Sequence, residues 1–177
     1  MSDDTSDHTS NNPIDDAADG PTDKLTDELA TSVPDGVLQP LSRHRVMAAL
    51  ETLGYAYRVD RERRVSGDWG YATFQFSIGG ADNQFFSVRG YSDMYLPAER
   101  RTDMLEHAND WNYGHYMPAV EVVSYSDGDL HFVTDYTVDY GYGVTDEQIC
   151  RHIERGLYPA DTFFEEVGEK FPDSARL

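Results

Sequence analysis

No Phe, Trp or Tyr precedes Tyr55, and the 2 Trp, 8 Phe and 12 Tyr of this 177-residue chain all fall between that residue and Phe171. Each large ring buries about 150–250 Å² when it packs, so a core can be built only from the part of the chain that has them. The segment from Met1 to Pro40 has no ring, holds ten of the 33 acidic residues, and has Lys24 as its one base. Ordering a residue costs about 1–2 kcal/mol, and Asp, Ser, Thr, Asn and Pro cannot offset that. Residues 1–40 are therefore expected to be an acidic disordered tail. Leu25 and Leu29, four apart, give one short apolar face that is too brief to persist as an isolated helix. Residues 41–177 form the expected single domain, long enough for a core without metal or disulfide.

Within that domain the apolar period changes from helical to alternating and back. Ser42 is placed to cap a first helix, with Leu41 and Val46 as a hydrophobic staple and Gly54 just past the end. Tyr55–Val59 reads as a short strand, and Asp60 to Arg64 as a polar turn. From Tyr71 onward Ala72, Phe74, Phe76 and Ile78 alternate with polar residues, and Phe86 and Val88 continue the pattern after Gly79-Gly80-Ala81-Asp82-Asn83, which predicts a hairpin. Pro97 opens a second helix with Met104, Leu105, Ala108 and Trp111 on one stripe. After Pro118, Val120 and Val122 alternate up to Asp127-Gly128, and Leu130, Phe132, Thr134 and Tyr136 line the returning strand. Thr145 and Gln148 have the form of a capping box, with Ile149, Ile153 and Leu157 following; Pro159 is expected to interrupt or kink that last helix. The order is α-β-β-β-α-β-β-α, an α+β domain with an antiparallel twisted sheet packed against helices.

That order, with Trp111-Asn112, Pro118, Asp127-Gly128, the Thr145-capped helix and Phe163-Phe164, resembles the YbjN family of bacterial proteins across about residues 41–172. The resemblance implies a fold similar to type III secretion chaperones, in which dimers hold an extended partner segment. It also implies a regulatory, protein-binding role in sensory transduction. It supplies no catalytic residues. The acidic tail and the Tyr140-Gly141-Tyr142-Gly143 loop depart from the family pattern.

Charge excludes other classes. A formal charge of −19 has the wrong sign for phosphate backbones and for anionic membrane surfaces. No apolar run is long enough to span a bilayer, and Met1-Ser2-Asp3-Asp4 is unlike a secretory signal, so a cytoplasmic location is expected. The acidic surface favours solubility, and the presence of only Lys24 and Lys170 as lysines also fits adaptation to high salt.

Chemistry is sparse. Cys150 and His152 lie two residues apart on a helix, about 200° around it, so the thiol reads as structural and not as half of a nucleophile–base pair. The histidines lack the His-x-x-x-His spacing that places two metal ligands on one helical face. No metal, cofactor or catalytic residue is expected, and the domain reads as a non-enzymatic binding module. The alternative is a small-ligand sensor or enzyme, built on His107, Asp110 and His115 or on the Gly141–Gly143 loop before a helix start. Partner contact is expected at aromatic residues assigned to loops and element ends: Tyr91, Tyr95, Trp111, Tyr113, Tyr116, Tyr140 and Tyr142. The partner is expected to be a protein or peptide segment, and the chain a homodimer.

Overall fold

The computed structural model describes residues 36–125 and 128–176, so Asp127 of the second hairpin turn and the tail through residue 35 lie outside the described residues. The first helix, α1 (Arg43–Thr52), starts where Ser42 accepts from the Arg45 N–H. It ends with the Tyr55 N–H on the Leu50 carbonyl, the Gly54 N–H on the Glu51 carbonyl, and Gly54 at φ 74°. Those two bonds are the paired closure that a left-handed residue past the last turn makes, so Gly54 has the expected role.

Six strands, a 3₁₀ turn and one α-helix follow before the last helix. They are β1 (Arg58–Val59), β2 (Val65–Trp69), β3 (Ala72–Gly79), β4 (Phe85–Leu96), a single 3₁₀ turn leading into α2 (Arg101–Gly114), β5 (Ala119–Ser124) and β6 (Leu130–Asp139). The last helix is α3 (Asp146–Lys170), and β7 (Ala175–Arg176) closes the chain against β4. The antiparallel sheet runs β1-β2-β3-β4-β6-β5. The α+β class is therefore as expected, with two strands added to the expected order. Strand β2 was missed because Gly67 and Asp68 are poor strand residues. Gly67 is there for space: a Cβ on it would lie 2.1 Å from the Trp69 ring, which folds back over its own strand to meet Tyr55, Phe74 and Phe76.

The helices pack on the sheet face that carries Phe74, Phe76, Phe86, Val88, Leu130 and Phe132, all buried. Helix α3 crosses it at two bare backbone positions. A Cβ on Gly156 would lie 2.5 Å from Val88, and one on Gly90 would meet Thr134, Phe74 and Phe164 within 3.0 Å. Two sequence expectations need correction. Pro159 does not break α3, which runs through it for 25 residues. An interior proline costs about 3 kcal/mol, whereas burying Ile149, Ile153, Phe163, Phe164 and Val167 supplies about 1.5–3 kcal/mol each. Leu105 is not part of the buried stripe of α2 but is 38% exposed, and His107 takes the inward place beside Met104, Ala108 and Trp111.

Hydrogen bonding to the domain begins before residue 41. Gln39 bridges to Val144, and Arg45 spends all five donors on one junction: the carbonyls of Gln39 (3.0 Å), Pro40 (2.8 Å) and Val144 (2.7 Å), and the Asp146 carboxylate twice. No helix among the described residues is long and apolar enough to cross a membrane.

Candidate binding surface

Strand alternation puts a second set of side chains on the sheet face opposite the helices. Cross-strand register brings Thr73, Tyr91, Val133 and Glu121 into one row, and beyond a bulge in β4 it pairs Tyr95 with His131. Val133 is 1% exposed and His131 is buried, although Val133 does not belong to the helix-covered core. The His131 ring lies 5.8 Å from Tyr95 and 4.8 Å from Tyr125, with its Nδ1 3.3 Å from the Ser92 carbonyl. The Tyr91 hydroxyl donates to Gln75, and the Arg89 guanidinium stacks 5.8 Å from the Tyr91 ring while reaching Glu121 and Asp135. Burial raises the Tyr125 hydroxyl above its ordinary pKa, so it stays neutral. The result is an aromatic patch in which the Tyr91 hydroxyl and the Arg89 guanidinium already have partners, although Arg89 Nε is buried without one. It offers rings and aliphatic surface, with no nucleophile beside a base.

The free edge of the sheet is partly closed. Strand β5 is last in the order, and there the Asn112 side chain donates to the Val120 carbonyl and accepts from the Val120 N–H, both at 2.8 Å, as a neighbouring strand would. Trp111 completes this clamp by donating its indole N–H to the Pro118 carbonyl at 3.1 Å.

The seven aromatic residues expected at a partner surface do not form one surface. Tyr91 and Tyr95 are strand residues of β4, not loop residues, and lie on the uncovered sheet face. Trp111 must be removed from the set: it is 5% exposed, pinned to Pro118 and packed on Phe163. Tyr113 and Tyr116 are almost wholly exposed at the α2–β5 corner. Tyr142 is as exposed at the β6–α3 corner, where Tyr140 instead packs on His152. Tyr125, His131 and Val133 were missed. Their signal was the run Leu130-His131-Phe132-Val133, buried on both faces where strict alternation would bury one.

The alternative chemical sites do not assemble. His107 faces the core, stacked on Phe163 with Lys170 Nζ 3.2 Å from its Nδ1, and burial followed by that ammonium lowers its pKa. His115 lies flat on Trp111 outside, 3.7 Å between centroids, and Asp110 is exposed. In the glycine loop the N–H groups of Gly141, Gly143 and Val144 bond to Asp139, Tyr140 and Gln39, and so are not presented to an anion. Cys150 rests against the Ala49 carbonyl with its thiol pKa raised by burial, and His152 is sandwiched between Phe86 and Tyr136. Among the described residues no three His, Cys, Asp or Glu side chains are grouped to hold a metal.

The family model described as YbjN, "Putative bacterial sensory transduction regulator", matches residues 42–169. The chain belongs to the YbjN family. Among solved structures it is similar to the crystal structure of YbjN, "a putative transcription regulator from E. coli", with a TM-score of 0.67 and 11% identity over 76% of this chain and 96% of that one. At that identity the likeness is one of fold. No curated protein matches the chain. In this YbjN domain, Trp111, Asn112 and Pro118, which carried the resemblance in sequence, join α2 to β5.

Proposed function

We propose that this YbjN protein is a non-enzymatic regulatory adaptor that holds a polypeptide segment across the uncovered sheet face at Tyr91, Tyr95 and Tyr125. The observation that carries the reading is the asymmetry of the sheet: helices cover one face, while the other bears these rings around Val133 and His131. Tyrosine gives large contact area at little entropy cost, and aromatic clusters dominate binding energy at protein interfaces. The E. coli protein of the same fold is called "a putative transcription regulator". With 33 acidic residues against 14 Lys and Arg, this chain repels DNA phosphates, so regulation here runs through a protein. The resemblance to type III secretion chaperones favours a homodimer holding its partner in the cytoplasm, and light scattering that gives a monomer at tens of micromolar counts against that dimer.

The test is co-purification of the tagged full chain from its native lysate beside Tyr95→Ser/Tyr125→Ser and Tyr113→Ser/Tyr116→Ser variants. One stoichiometric polypeptide, lost from the first variant and kept by the second, supports the reading. Equal recovery with all three proteins, or recovery of none, refutes the assigned face.

A further inference from the structure

The strongest unassigned feature is a notch where β2 stops and β3 continues. Val65 pairs with Phe76, but the chain before Val65 turns away, leaving Ser77 and Ile78 beside a cavity of about 160 Å³. Its walls carry Arg43 from α1 and Glu62, Arg63 and Arg64 from the β1–β2 turn. Glu62 and Arg64 pair with each other at 2.5 Å. The guanidinium groups of Arg43 and Arg63 have no hydrogen bond or ion pair among the described residues. In a chain of net charge −19, Arg43 and Arg63, both exposed, come together at the rim of one small concavity.

The turn that carries Arg63 is internally bonded. The Asp60 carboxylate accepts from the N–H groups of Glu62 and Arg64, both at 2.9 Å, and from Arg64 Nε at 2.6 Å. Arg63 sits at φ 64°, a left-handed conformation in which a residue with a Cβ is strained and which a glycine would adopt freely. A large cationic side chain is thus kept where turn geometry alone favours glycine.

We propose that this notch binds a small phosphate monoester, its head between Arg43 and Arg63 and its organic part against the half-buried Ile78, above the core residues Val46, Val65 and Phe76. Charge decides the class: Arg43, Arg63 and Arg64 stand against Glu62 and Asp60, which both pair with Arg64, so the notch keeps a net positive charge carried by Arg43 and Arg63, and a phosphate monoester carries about −1.5 to −2 at pH 7. Guanidinium forks match its oxygens, and the apolar floor takes the ester group. The site adjoins the tyrosine face at Gln75, which lines the notch and accepts from Tyr91, but it rests on Arg43 and Arg63 and does not depend on the adaptor reading.

The experiment is a titration of the full chain with phenyl phosphate in a phosphate-free buffer at fixed ionic strength, followed by calorimetry and amide shifts. Saturable binding is expected in the millimolar range or tighter, with shifts centred on residues 62–65 and 76–78. Arg43→Gln weakens it about tenfold, the loss of one charge-assisted fork. Arg63→Gly weakens it similarly while keeping or raising the unfolding midpoint, because it relieves the left-handed residue. Arg101→Gln, which removes an exposed charge from α2, leaves binding unchanged. Three results overturn the proposal: no saturation, equal weakening by Arg101→Gln, or inorganic phosphate binding as tightly as phenyl phosphate.

Discussion

Replacing Asn112 by alanine removes both bonds that close the β5 edge, and the structure fixes what that costs. The side chain donates to and accepts from the same residue, Val120, at 2.8 Å each, in a partly buried setting. A net hydrogen bond is worth about 0.5–1.5 kcal/mol, so the pair is worth about 2 kcal/mol. For a chain of this size that lowers the thermal midpoint by about 4–8 °C. The assay is equilibrium urea unfolding of wild type and Asn112→Ala, with the slope checked for constancy so that the midpoint reports stability. Asn112→Asp sharpens the test. At neutral pH its carboxylate still accepts from the Val120 N–H but faces the Val120 carbonyl without a proton, so it falls at least as far as alanine. As the pH drops into the carboxylate range the protonated acid can again donate, and its deficit relative to wild type narrows. An Asn112→Ala midpoint within about 0.5 kcal/mol of wild type would refute the clamp, since that is the scatter of neutral surface substitutions.

Three further outcomes follow from other parts of the fold. The buried His152 imidazole is pushed down to about 4 by burial from an unfolded value of 6.5. The unfolded chain therefore takes up the proton first, and stability present above pH 6.5 is lost by up to about 3 kcal/mol as the pH falls to 4; urea midpoints of His152→Phe should lack most of that decline, and an unchanged slope would count against a neutral buried imidazole. Gly156→Ala gains about 1 kcal/mol of helix propensity but forces a Cβ to 2.5 Å from Val88; overpacking at about 1–3 kcal/mol wins, and a raised thermal midpoint would contradict the close approach of α3 to β4. Raising NaCl from about 0.1 to 1 M shortens screening from about 10 to 3 Å, so a chain at −19 should melt higher; a lower midpoint would mean that ion pairs such as Arg58–Asp68 outweigh the repulsion.

Where local chemistry and tertiary demand agree, the sequence was readable. Ser42, Gly54 and the Thr145–Gln148 box act through bonds within four residues of themselves, and each is where its residue type places it. Ala72, Phe74 and Phe76 alternate against a one-sided core, and period 2 gives their face directly. The misreadings come from contacts distant in sequence. Gly67 looks like a turn residue until Trp69 is seen lying over it. Pro159 looks like a stop until the apolar stripe on both sides of it is weighed against one lost bond. Trp111 looks like an anchor for a partner, yet Pro118 and Phe163 already occupy it. The tyrosine face was half legible: Tyr91 and Tyr95 were singled out as aromatic residues, but only strand register reveals that Tyr125 and His131 stand beside Tyr95.

The Arg45 junction has a mechanical consequence. Its guanidinium holds the carbonyls of Gln39 and Pro40 with one hand and Val144 and Asp146, at the entry to α3, with the other. Tension applied to the chain ahead of Gln39 is therefore shared between the first turn of α1, which carries Arg45, and the head of α3. Because the Gln39 and Val144 backbones also bond to each other at 2.8 and 3.2 Å, the two segments must part together. Arg45 and the Gln39–Val144 bridge thus act as one rivet, and pulling from the N-terminal side loads α1 and the head of α3 together.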